Sequence, residues 1–148
     1  MNSVIISKAG GPEVLEYKEL KLEEPKADEV TIKNHAIGLN YIDTYHRSGL
    51  YPLSLPSPIG LEGAGEITKV GSEVKDFKVG DKVAYCAAPL GAYSTHRNYP
   101  TKNLVKVPDS VDLETAATLM TKGITTFYLL HKTYPVKSGE DILFHAAA

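Results

Sequence analysis

The sequence predicts an α/β chain: a small barrel or sandwich of short strands, followed by the opening of an αβ layer. Three observations carry this. Strand-like segments recur up to Pro108, separated by Gly and Pro turns. One of them alternates with period two: Val30, Ile32, Asn34 and Ala36 share one face, and Thr31, Lys33 and His35 the other. Beyond Pro108 the apolar spacing changes to three and four, and a last strand-like segment follows.

The chain has 148 residues, 43% hydrophobic and 23% charged, the mix of a soluble globular protein. Sixteen Lys and Arg face eighteen Asp and Glu, a net charge of -2, which speaks against a strongly electropositive nucleic-acid surface. The single cysteine, Cys86, can form neither an internal disulfide nor a four-thiolate zinc site, and suits a reducing compartment. No leader sequence is visible, and no apolar run approaches the ~20 residues of a membrane span. A cytoplasmic location is expected.

In chain order, residues 4–7 are expected to form a strand, ended by Gly10-Gly11-Pro12, and residues 14–20 a second. The alternating segment from Val30 follows. Asn40 then caps a short helix over 41–47, with Asp43 three residues on as the echo of a capping box. Gly49 can end it in the left-handed conformation. Three prolines keep 52–58 extended. Gly60-Leu61-Glu62-Gly63-Ala64-Gly65 suggests a bend and close backbone packing where a strand begins. Further strands are expected at 82–84, 93–98 and 104–107. Asp112 caps a helix through Leu113, Ala116, Ala117 and Met120, which Gly123 breaks or bends. A second helical stretch carries Ile124, Phe127, Tyr128 and His131, and residues 141–145 read as a strand entering the final alanines.

The histidines, at 35, 46, 96, 131 and 145, form no His-x-x-x-His pair, and Cys86 has no cysteine companion. No Gly-x-Ser-x-Gly elbow or phosphate loop is present, and Ser94 and His96 lack a third triad member. Tyr41, Tyr45 and Tyr51 gather around Asn40 and Asp43. They either pack the helix onto the strands or line a ligand cleft. Asn40 and Asp43 are either simple caps or part of that cleft. Glu62 is either a surface carboxylate or a buried one bonded to backbone amides. Lys122, Thr125 and Tyr128 are open to the same ambiguity between ordinary helix residues and a site.

The order of several motifs resembles the medium-chain dehydrogenase/reductase superfamily, and within it the zinc-free NADPH:quinone oxidoreductases, the zeta-crystallin-like group. They are Gly10-Gly11-Pro12-Glu13-Val14-Leu15, the block from Ala36 to Gly49, Gly60-Leu61-Glu62-Gly63-Ala64-Gly65, Val79-Gly80-Asp81-Lys82-Val83, Gly91-Ala92-Tyr93-Ser94 and Lys122-Gly123-Ile124-Thr125-Thr126. Asn40 and Leu61 stand where the zinc branch carries metal ligands, so the resemblance implies no metal. It implies a GroES-like β-barrel catalytic domain over residues 1–123, followed by the first elements of a Rossmann domain over 124–148. The chain ends before the family's glycine-rich cofactor turn, so these 148 residues alone are expected to be inactive. For the full-length enzyme the resemblance implies hydride transfer from NADPH to a quinone, in the cytoplasm and as a homodimer, without membrane or nucleic-acid partners. Reduction of enones or enoyl thioesters, or a non-catalytic binding or structural module, are the alternatives. The implied catalytic residues are Asn40, Tyr45, Tyr51 and Asp43, the last orienting the cluster. The implied cofactor contacts are Asn40, Tyr45, Lys122, Thr125 and Tyr128, with Glu62 as a structural residue.

Overall fold

The computed structural model describes residues 1–145. The strands are β1 (Asn2–Ile6), β2 (Leu15–Glu19), β3 (Glu29–Gly38), β4 (Ser57–Pro58), β5 (Glu62–Val70), β6 (Lys82–Tyr85), β7 (His96–Pro100) and β8 (Val105–Lys106). Helix α1 (Tyr41–Ser48) follows β3, and α2 (Leu113–Phe127) follows β8.

These strands form two separate antiparallel sheets, with orders β2-β1-β4 and β7-β3-β5-β6-β8. The expected barrel is therefore corrected: neither sheet closes. Bonds between them include the Ser3–Ser94 bridge and the neighbouring Val4 N to Tyr93 O at 2.8 Å. Closure requires every edge strand to find a partner ladder. Here β4 and β8 have two residues each, too few to carry a ladder onward. The β3–β7 pairing also stops at Lys33–His96, while β3 runs on to Gly38 beside β5.

Period two explains β3. Val30 and Ile32 are fully buried and Lys33 is exposed. Thr31 is buried against the expected polar face, and its hydroxyl is satisfied by Asn98 Oδ1 at 2.7 Å. Val30 and Ile32 join Ile67, Val83, Tyr85, Ala92, Tyr99 and Leu104 in one core. Arg97 lies buried beside this core. Its guanidinium stacks over the Tyr85 and Tyr99 rings at 4.8 and 4.6 Å and donates to the Pro89 carbonyl at 2.6 Å.

A second core is built of small side chains. Ala64 and Ala84 of the larger sheet meet Ala116 and Ala117 of α2. Alanines on both sides let the helix axis approach the sheet closely. Asp112 caps α2 by accepting the Thr115 amide at 2.7 Å. The expected break at Gly123 is absent: α2 runs through it to Phe127. A glycine costs an exposed helix about 1 kcal/mol relative to Ala, too little to end a capped, packed helix. A π-helical turn, Tyr128–Thr133, follows, and the Tyr134 amide reaches the Leu129 carbonyl at 3.0 Å. The strand expected at 141–145 does not form. Those residues are irregular, because a strand needs a neighbour to bond and none lies against them among the described residues. The alanines at 146–148 lie outside the described residues.

Ile32 is the test of the main core. Replacing it with Ala is expected to lower the unfolding free energy by about 2–5 kcal/mol, measured as a lower urea midpoint at unchanged slope.

Candidate functional site

The site begins where β3 turns into α1. Gly38 ends the strand, and Asn40 adopts extended backbone angles as the N-cap. Asn40 and Asp43 make the expected capping box, in which Asp43 Oδ2 accepts the Asn40 amide at 3.0 Å. At the other end, Gly49 takes φ 83°, the left-handed stop. One helical turn then places Tyr45 between two other tyrosines. Its ring centroid lies 5.5 Å from Tyr41 and 5.4 Å from Tyr51, both edge to face. His46 adds a further edge contact to Tyr51 at 6.0 Å.

Beneath this cluster lie two buried carboxylates. Asp43 also accepts the Tyr93 hydroxyl on Oδ2 at 2.8 Å. Burial, and then the bond to Asp43, push the Tyr93 phenol well above its ordinary range. Glu62, at the start of β5, is fully buried. Its Oε2 accepts from Asn40 Nδ2 at 2.7 Å, and its Oε1 accepts the Thr121 amide of α2 at 2.8 Å. Of the two readings of Glu62, the structure has the buried one, bonded to a backbone amide. Cys86 lies at the end of this group. Burial and then the Glu62 charge push its thiol up, which leaves little of the reactive thiolate at neutral pH.

Asn40 and Asp43 are thus joined at the start of α1, while Tyr45 on that helix and Tyr51 just past it are joined ring to ring. Asn40 and Asp43 are buried, Tyr45 is half-buried, and Tyr51 is exposed. Lys122, Thr125 and Tyr128 form no part of that contact group. They are exposed, Lys122 and Thr125 on α2 and Tyr128 at the start of the π-helical turn, the first of them next in chain to Thr121. Glu62 therefore joins the two sets through Asn40 on one side and Thr121 on the other. Tyr93 and Thr121 carried no sequence signal for this role, because their partners lie 50 and 59 residues away in the chain. A cavity of about 500 Å³ is lined by Tyr17, Ile37, Leu39 and Tyr93 among others, and Asn40, Tyr45 and Tyr51 are not among its lining residues.

Chemically, the cluster offers flat aromatic surfaces and an amide whose orientation is fixed. Among the described residues no three His, Cys, Asp or Glu side chains stand close enough to hold a metal ion. No helix among them is long and apolar enough to cross a membrane.

The alcohol dehydrogenase GroES-like domain family matches residues 26–109, more than half of the chain. The quinone oxidoreductase of Pseudomonas aeruginosa is 59% identical over 140 residues, covering 94% of this chain and 43% of that protein. A 2-haloacrylate reductase from Burkholderia sp. is 45% identical over 152 residues, covering 99% and 46%. Among solved structures, quinone oxidoreductase of Pseudomonas syringae pv. Tomato DC3000 superposes with a TM-score of 0.96 at 58% identity, covering 99% of this chain and 46% of that one. The Escherichia coli quinone oxidoreductase complexed with NADPH gives a TM-score of 0.91 at 46% identity, covering 93% and 42%. The chain spans less than half the length of these relatives.

Two outcomes test the buried polar layer. Tyr93→Phe removes one bond to a carboxylate and is expected to cost about 1–3 kcal/mol of stability. The raised phenol contributes stability that is present below the ordinary tyrosine range and lost as pH rises through the higher folded value. Wild-type stability should therefore fall more steeply than that of Tyr93→Phe in strongly alkaline urea titrations. Separately, the rate of Cys86 alkylation by iodoacetamide should reach half its maximum at a pH above the ordinary thiol value of about 8.5. In Glu62→Gln that midpoint should move down, because one of its two causes is gone.

Proposed function

Because the chain belongs to the zinc-independent quinone oxidoreductase family of the medium-chain dehydrogenase/reductase superfamily, and carries its alcohol dehydrogenase GroES-like domain, we propose that it forms the substrate-side part of an NADPH-dependent quinone reductase. The observation that carries this reading is the cluster itself. An oriented amide and an edge-to-face row of tyrosines lie on and beside α1, and the resemblance puts Asn40 at a place where the zinc branch carries a metal ligand.

The donor set fits the nicotinamide end of such a cofactor. Nδ2 of Asn40 carries two hydrogens, and Glu62 takes one, which leaves one donor for a carbonyl acceptor. The half-buried Tyr45 ring offers an apolar face to a flat heterocycle. Lys122 and Thr125 on α2 and Tyr128 in the π-helical turn after it supply a cation, a hydroxyl and a further ring, all exposed. When bound, NADPH supplies the hydride, and the acceptor gains that hydride and one proton to leave as the hydroquinone. The protein's own part is placement. Tyr45 and Tyr51 hold a planar acceptor, Asn40 donates to its carbonyl oxygen, and Asp43 keeps Asn40 and Tyr93 in register. Residues 1–123 act as the catalytic domain in this reading, and 124–148 open the cofactor domain.

A second reading, reduction of an activated alkene, draws on the 2-haloacrylate reductase at 45% identity, since the same amide donor and aromatic faces suit an α,β-unsaturated carbonyl. The proposal includes a homodimer, on family resemblance alone, and a cytoplasmic setting that suits the single thiol of Cys86. The net charge of -2 favours no nucleic-acid role.

In protein expressed from the complete reading frame, NADPH oxidation should run about tenfold faster with 1,4-benzoquinone than with a 2-alkenal or an enoyl thioester, a barrier difference of about 1.4 kcal/mol. Equal weak rates with all three remove the quinone assignment, and a preference for the alkenal selects the second reading. Tyr45→Ala should raise the NADPH dissociation constant about fivefold, the worth of one aromatic contact, with the urea midpoint little changed. Unchanged affinity would mean that the ring only packs α1.

A further inference from the structure

Glu62 combines full burial with a use for both of its oxygens. Oε2 holds Asn40 Nδ2 at 2.7 Å and Oε1 holds the Thr121 amide at 2.8 Å, so rotating the carboxyl group breaks at least one bond. A carboxylate only accepts, which decides the amide's orientation: the nitrogen of Asn40, not its oxygen, must face Glu62. Gly38 closes the space behind. A Cβ at that position would lie 2.6 Å from Glu62 Oε2 and 2.3 Å from the Ala117 carbonyl, so the carboxylate and α2 press directly on bare backbone. Asn40 keeps 8% of its surface exposed, while Glu62 keeps none. The little surface this pair keeps belongs to Asn40 and none to Glu62.

We infer that Glu62 is a positioning residue: it locks the Asn40 amide between the larger sheet and α2, so that the remaining Nδ2 hydrogen is aimed at the carbonyl oxygen of the acceptor. This rests on the quinone-reductase reading above. Glu62 touches neither substrate nor cofactor and acts entirely through Asn40. The energetic logic is preorganisation, since a donor already held in place loses no rotational freedom when the acceptor charge develops. A merely structural pin between β5 and α2 would stabilise the fold but leave the contribution of Asn40 untouched.

A double-mutant cycle separates the two. In protein from the complete reading frame, Glu62→Gln, Asn40→Ala and the double variant are compared for kcat/KM with 1,4-benzoquinone, alongside their thermal midpoints. Positioning predicts that each single change lowers kcat/KM by about tenfold, and that the double variant falls within about twofold of the weaker single. Losses that multiply in the double variant, or a Glu62→Gln enzyme with wild-type kcat/KM, would overturn it. If Glu62→Gln does not fold, the unaltered protein still answers through the Asn40 side-chain amide in its NMR spectrum, assigned by its loss in Asn40→Ala. An Nδ2 proton shifted downfield by the carboxylate and protected from exchange with water supports positioning; two Nδ2 protons at ordinary shifts that exchange as fast as those of an exposed asparagine overturn it. A wild-type protein that reduces no quinone sinks the functional reading instead. An active enzyme with multiplicative losses sinks only the role of Glu62.

Discussion

A single buried carboxylate ties three elements of this chain together. Glu62 leaves β5, takes the Asn40 side chain at the mouth of α1, and takes a main-chain amide from the middle of α2. Burying a carboxyl group is costly unless its oxygens are satisfied. Here satisfaction demands that β3 stop at Gly38, just before Asn40, and that α2 lie close to the sheet. The second demand is met by the alanines of the second core, whose small side chains bring the helix within reach. The first is met by Gly38, which offers no side chain to hold the carboxylate off. Packing and polar chemistry therefore select the same residues.

The Asp43 layer works alongside. One oxygen of Asp43 serves both the helix cap and the Tyr93 hydroxyl. The cap and the segment leading into β7 are thus fixed against each other. The tyrosines above rest on this platform and not on one another alone, since Tyr45 belongs to the helix that Asp43 starts.

Local chemistry was the legible part of the sequence. Asn40, Asp43 and Gly49 define α1 through contacts within a few residues, and Asp112 does the same for the start of α2. Period two located β3, because one face meets the core whatever the rest of the chain does. Closure of the sheets was not legible, since it depends on which edges meet, and β4 and β8 proved too short to join them. The strand expected at 141–145 had the composition but no neighbour among the described residues. At Gly123, propensity was outweighed by the capped and packed helix around it. The site divides in the same way. Asn40, Asp43 and Tyr45 announce themselves by spacing, whereas the Glu62–Thr121 bond spans 59 residues and appears only once the chain is folded.

The π-helical turn after α2 has a consequence for direction. Side chains on an α-helix advance by about 100° per residue, and in a π turn they advance by less. Over Tyr128–Thr133 the side-chain azimuth therefore lags behind the one that α2 set up. The stripe of Ala116 and Ala117 that rests on the sheet cannot be prolonged in line past Phe127. One unbroken run of backbone thus addresses two compass bearings, and the change between them is written into the winding of the chain.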